Sequence, residues 1–173
     1  MPATVEINEA LIRDHINRAV KDVFKTMLSL EPKACDSTAH VRGTPLLVAV
    51  PQRPQVVGTV GFIGDCNGLI YLHLDLAFAK KCTCQLLGMT PAELDAAGDE
   101  VVNDAIGELT NMTVGSFKNG LCDAGFPCKL TIPSILRGTS FSIEPISSAV
   151  RHVYEFDCAE HRVIADILMK SDE

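Results

Sequence analysis

Positive charge is in short supply in this sequence: 15 Lys and Arg stand against 22 Asp and Glu, a formal charge of −7 at pH 7. That balance offers no electrostatic footprint for a phosphate backbone or an anionic lipid surface, and argues against nucleic-acid and membrane partners. No apolar run approaches the roughly 18–20 residues of a membrane span, and Met1-Pro2-Ala3-Thr4-Val5-Glu6 lacks a basic region followed by an apolar stretch. A soluble, cytoplasmic protein is therefore expected. A His-Glu-x-x-His segment, a nucleophile elbow and a phosphate-cradling glycine loop are also missing, so zinc-hydrolase and nucleotide chemistry have no visible support. The seven cysteines, Cys35, Cys66, Cys82, Cys84, Cys122, Cys128 and Cys158, are odd in number and scattered. They predict reduced thiols rather than a disulfide framework.

What is present is ordinary globular composition, 47% hydrophobic and 21% charged with 9 Pro and 12 Gly over 173 residues. That length predicts one domain, residues 1–173, with one core. The run from Ile7 to Leu30 has the apolar spacing of an amphipathic helix ended by Glu31-Pro32, and Lys33 to Pro45 reads as a loop. Leu46 to Val50, Val56 to Ile63 and Leu69 to Leu74 read as strands, the last two joined by the turn Gly64-Asp65-Cys66-Asn67-Gly68. Leu76 to Leu87 reads as a helix stopped by Gly88, and Thr90-Pro91-Ala92-Glu93 carries the capping-box start of a short one. Asp99 to Asn119 is the longest helical pattern, with Gly120 at the expected C-cap. Further strands are expected at Lys129–Ile132, Ser140–Ile143, Ala149–Phe156 and Arg162–Met169. Short links between strands favour antiparallel pairing, so the fold class is α+β, an antiparallel sheet covered by helices.

On the long helix, Glu100, Asp104, Gly107, Glu108, Asn111, Gly115 and Lys118 fall within roughly 100° of one another, opposite the apolar stripe, and are expected to face solvent. Gly107 and Gly115 have no stability rationale there, each costing about 1 kcal/mol relative to Ala in an exposed helix. Glu108 and Asn111 are three residues apart, so their side chains are neighbours able to engage one small target, with Asp104 one turn earlier. A solvated polar face explains the same pattern, and periodicity does not choose between the two.

Asp104-Ala105-Ile106-Gly107-Glu108-Leu109-Thr110-Asn111, followed by Pro133-Ser134-Ile135-Leu136-Arg137-Gly138, resembles the signature of the CheC/CheX/FliY chemotaxis phosphatases, and the single copy points to the CheX-like branch. The resemblance covers most of the chain, although only the Asp/Glu/Asn/Pro set is specific, and the interval to Pro133 departs from the family pattern by one residue. It implies dephosphorylation of a phosphorylated receiver domain of the CheY type. Glu108 would then pair with the receiver's active-site lysine and Asn111 would orient the water that attacks the phospho-aspartate. Asp104 would have a supporting role and Pro133 would shape the fold beneath the helix; that Gly107 and Gly115 would let the partner backbone approach is an inference from this sequence rather than a family rule. No cofactor is implied in this chain; Mg2+ is expected in the partner receiver. The resemblance also implies a homodimer, formed through sheet edges. A non-catalytic module of the same fold, recognising a receiver or a signalling or motor component, is the competing expectation.

The remaining chemistry-bearing residues read as structural. Cys82 and Cys84 point to well-separated directions on a helix and are expected to be buried small hydrophobes. Cys158 with His161, and Cys122 with Cys128, flank turns but lack the companions of a tetrahedral metal site, so no metal is expected. A redox or metal sensor is the third and weakest reading. His15, His40, His73, His152 and His161 are dispersed, and His73 is expected to be a satisfied structural histidine.

Overall fold

The computed structural model describes residues 6–35, 53–139, 141 and 143–170. Its elements run α1 (Glu9–Leu28), β1 (Lys33–Ala34), β2 (Gln55–Gly64), β3 (Gly68–Asp75), α2 (Leu76–Leu87), α3 (Pro91–Ala97), α4 (Asp99–Asp123), β4 (Cys128–Leu130), β5 (Ser134–Gly138), β6 (Ala149–Cys158) and β7 (His161–Lys170). The strands form one seven-stranded sheet in the order β1-β6-β7-β3-β2-β4, with β5 also on β2, and every pairing is antiparallel. The fold is α+β, an antiparallel sheet with helices packed on it. Among the described residues no helix is long and apolar enough to cross a membrane.

Local chemistry explains most element ends. Asn8 caps α1 through its side-chain oxygen, which accepts from the Leu11 N–H at 2.9 Å. Thr90 and Glu93 form the expected reciprocal capping box on α3. Gly88 ends α2 in the left-handed conformation. The first helix stops sooner than Glu31-Pro32 predicts, because Ser29 turns left-handed and its N–H returns to the Lys25 carbonyl. The β6–β7 hairpin closes through Ala159 and Glu160, both at positive φ, the geometry of a tight two-residue turn.

Strand alternation sends Val56, Val60 and Phe62 of β2 and Ile70, Leu72 and Leu74 of β3 into the main core, where Ile16, Val20 and Phe24 of α1 and Ile106, Leu109 and Phe117 of α4 meet them. The opposite face carries a buried ion pair. Arg151 donates to both Asp166 oxygens, at 2.9 and 2.7 Å, a bidentate geometry that compensates the desolvation of both charges.

Two expectations change, and a third, the strand at Leu46–Val50, lies outside the described residues. Of Ser140–Ile143, residues 141 and 143 are described and neither is in a strand; the paired stretch is the preceding Ser134–Gly138, which bonds the edge of β2 along Gln55–Thr59. Gly120 is not a cap: α4 continues to Asp123, and Gly120 lacks a side chain because the His15 ring of α1 fills the space its Cβ would take.

Candidate functional site

The site is built on the outer side of α4. Val102, Ile106, Leu109 and Phe117 anchor the helix in the core. Beneath it, Gly58 of β2 supplies the space for Thr110; a Cβ at Gly58 would fall on the Thr110 side chain. That close approach seats the buried Thr110 hydroxyl, which donates to the Ile106 carbonyl at 2.6 Å. With the inner side fixed, helical periodicity leaves Asp104 and Glu108 exposed and Asn111 half-buried on the other side.

The two helix glycines do not face solvent as expected. Gly107 is buried and Gly115 half-buried, because the helix leans on the sheet edge made by β4 and β5. The nearest atom to a Cβ built at Gly107 is Ile135 Cδ1 at 4.0 Å, and at Gly115 it is Leu130 Cδ1 at 3.6 Å. Both are ordinary van der Waals separations, so among the described residues nothing forbids a methyl group at either position. Asn111 lies between them on the same side of the helix, facing this edge, and Glu108 is turned further outward.

The edge itself is interrupted. Thr131 bonds Gly61, its N–H to the carbonyl at 2.8 Å and its hydroxyl from the Gly61 N–H at 2.8 Å. Ser134 then pairs with Thr59. Ile132 and Pro133 are thus two residues set against the single residue Val60, a bulge that separates β4 from β5.

A family model described as chemotaxis phosphatase CheX matches residues 56–157 of this sequence, the stretch that contains α4 and both edge strands. The chain belongs to the CheX family. It is 29% identical over 134 residues to the CheY-P phosphatase CheX of Thermotoga maritima, covering 75% of this chain and 79% of that protein. In fold it is similar to chemotaxis protein CheX from Vibrio vulnificus, with a TM-score of 0.75 and 24% identity over 96% of this chain and 100% of that one. It is also similar to a chain in the CheX-CheY-BeF3-Mg complex from Borrelia burgdorferi, with a TM-score of 0.62 and 18% identity, covering 92% and 98% of the two chains.

Within this CheX-family fold Arg137, from the second half of the sequence signature, reaches the helix residues just ahead of the first half. Its Nε donates to Asn103 Oδ1 at 2.6 Å, its Nη2 donates to the Asp99 carbonyl at 3.2 Å, and its Nη1 stands 3.6 Å from the Asp99 carboxylate. Arg137 therefore ties β5 to the first turns of α4. Sequence reasoning quoted this arginine without assigning it that work, since neither partner is near it in the chain. Gly58 and the Ile132-Pro133 bulge were likewise missed; the Pro133 interruption of a strand-like run was the available signal for the bulge.

The other candidates stand apart from this face. Cys82 is buried and Cys84 half-buried, and burial first, then the neighbouring Cys158, pushes the Cys82 thiol up to about 12. His161 pairs with Asp75 at 2.9 Å and stacks on Phe78, not with Cys158. Cys66, delivered by the β2–β3 turn, lies beside Cys122 and Cys128; burial first, and then Cys66 and Cys122, pushes the Cys128 thiol up to about 12. A high pKa marks a poor nucleophile, and among the described residues no group of three or more His, Cys, Asp or Glu is placed to hold a metal. His73 is not satisfied among the described residues: neither ring nitrogen has a hydrogen-bond partner there, and burial, with Arg151 as the second cause, lowers its pKa to about 4.

Proposed function

We propose that this chain hydrolyses the phospho-aspartate of a CheY-type receiver domain, with Glu108 and Asn111 as its catalytic pair. The observation that carries the reading is their placement: an exposed carboxylate and a half-buried carboxamide one turn apart on the outer side of a helix held rigidly on the sheet. The name of the Thermotoga maritima relative, CheY-P phosphatase CheX, supports the substrate class. An acyl phosphate is already reactive, so the chain need supply no nucleophile of its own. Asn111 can accept a hydrogen bond from water with its carbonyl oxygen while its NH2 donates one, which orients the water's lone pair, and both water protons stay with the phosphate. The water oxygen bonds to phosphorus, the bond from phosphorus to the aspartate oxygen breaks, and inorganic phosphate leaves as the carboxylate is restored. Glu108 would pair with the receiver's lysine, a charge-assisted contact that orients the two proteins. Asp104, one turn before Glu108, extends the acidic surface toward that cation. Mg2+ belongs to the receiver in this reading and would neutralise phosphoryl charge there; no step is assigned to a metal held by this chain.

The test is the decay of a phosphorylated receiver from the same organism, loaded with a small phosphodonor that is then removed. Wild-type protein is expected to accelerate decay, Asn111→Ala to lose most of that acceleration while still binding, and Glu108→Ala to weaken binding and rate together. Binding without acceleration by the wild-type protein would replace the phosphatase reading with a non-catalytic receiver-binding module. The homodimer implied by the resemblance is kept as part of the proposal, through sheet edges; sedimentation of the purified protein decides it.

A further inference from the structure

The edge strands beside α4 carry an apolar feature that the proposed chemistry does not use. Ile132 is 88% exposed, the most exposed large apolar side chain among the described residues. Exposure to water disfavours such a side chain, although a lone exposed isoleucine on a surface is common. Its position makes it worth more than that. Leu130 stands against Gly115 and Ile135 against Gly107, so the strand edge runs antiparallel to α4 and the residues between them pass the intervening turn, where Asn111 sits. That turn is about 6 Å along the axis from each glycine at ~1.5 Å per residue. The bulge opposite Val60 lifts Ile132 and Pro133 out of the ladder at this level. Bulges of this kind re-aim a side chain beside a functional site, and the proline holds the backbone there without an N–H to pair.

We propose that Ile132 is an apolar docking contact for the receiver domain, seated at the rim of the Glu108/Asn111 face. This rests on the phosphatase reading for the identity of the partner and adds the surface by which it is held. The two halves of the contact differ in chemistry. Asp104 and Glu108, both exposed with Glu100 on the preceding turn of the same helix, offer negative charge to a partner whose active site presents a lysine. Ile132 offers apolar area on the other side of Asn111, and its burial would add affinity while the charged side sets orientation. The rigid bulge means that little conformational freedom is lost when the contact forms.

The experiment compares wild-type protein, Ile132→Asp, Ile132→Val and Asn111→Ala. Two readouts are taken with the same CheY-type receivers: affinity for the receiver activated with beryllofluoride and Mg2+, and the decay rate of the phosphorylated receiver against receiver concentration. Burying an isoleucine side chain corresponds to a loss of about tenfold or more in affinity when a carboxylate replaces it. Ile132→Asp is therefore expected to bind at least about tenfold more weakly and to need correspondingly more receiver for half-maximal rate, with the saturated rate within about twofold of wild type. Ile132→Val, which keeps an apolar group, is expected to stay within about threefold on both readouts. Ile132→Asp binding as wild type does would overturn the proposal, while loss of turnover in Asn111→Ala left the phosphatase reading standing. Wild-type binding without turnover would remove the phosphatase reading, and the affinity of Ile132→Asp would still decide the docking contact. Absence of both binding and turnover would overturn both. A change in sedimentation by Ile132→Asp with unchanged receiver affinity would assign the side chain to a second copy of this chain instead. Unchanged unfolding of Ile132→Asp in urea is expected, because the side chain has almost no contacts to lose.

Discussion

Replacing Gly115 by alanine separates what the helix needs from what a docked partner needs. Gly115 lies well inside a 25-residue helix, where glycine costs about 1 kcal/mol relative to alanine through backbone entropy. The added methyl would meet Leu130 Cδ1 at 3.6 Å and nothing closer outside the helix itself, so no strain offsets that gain. Gly115→Ala is therefore expected to raise stability by about 1 kcal/mol, seen as a higher urea midpoint at unchanged m and a melting temperature higher by about 2–4 °C for a chain of this size. If the receiver closes over this strip, the same methyl is expected to slow dephosphorylation at limiting receiver. A fall in stability would refute the packing account. A stability gain with an unchanged rate would refute the role of the bare backbone in docking and leave the glycine unexplained.

Two further perturbations probe the platform beneath the site. Gly58→Ala forces a Cβ onto the Thr110 side chain where α4 crosses β2, and is expected to cost about 1–3 kcal/mol by urea unfolding; a near-neutral result would refute the close approach. For His73, the folded pKa of about 4 lies below the ordinary histidine value of 6.5, so the unfolded chain binds more protons between those values. The stability tied to neutral His73 is present above pH 6.5 and is lost as the pH falls toward 4, at up to about 1.4 kcal/mol per pH unit. His73→Leu is expected to remove that portion of the acid slope; an unchanged slope in paired urea titrations would refute the assignment.

The amphipathic periods of α1 and α4, the capping box at Thr90, the turn glycines at Gly64 and Gly68 and the spacing of Glu108 and Asn111 all act over a few residues, and all were legible in the sequence. They establish an α+β chain with a neighbouring carboxylate and carboxamide on one long helix. The resemblance added the family, and with it the substrate class to be tested. What tertiary structure decided involves partners distant in the chain. Gly107 reads as exposed because helical period alone knows the core stripe but not the β4–β5 edge that leans on the flank of α4. Gly120 reads as a cap because His15, which needs its space, lies on another helix. Arg137 reads as one more basic residue until β5 brings it to Asp99 and Asn103. Ile132 reads as a strand residue until pairing on both sides of it, at Gly61 and Thr59, leaves it opposite Val60 with its neighbour Pro133. Local sequence sets which side of a helix is polar; only the packing of strands around it determines which part of that polar side is a surface and what stands at its rim.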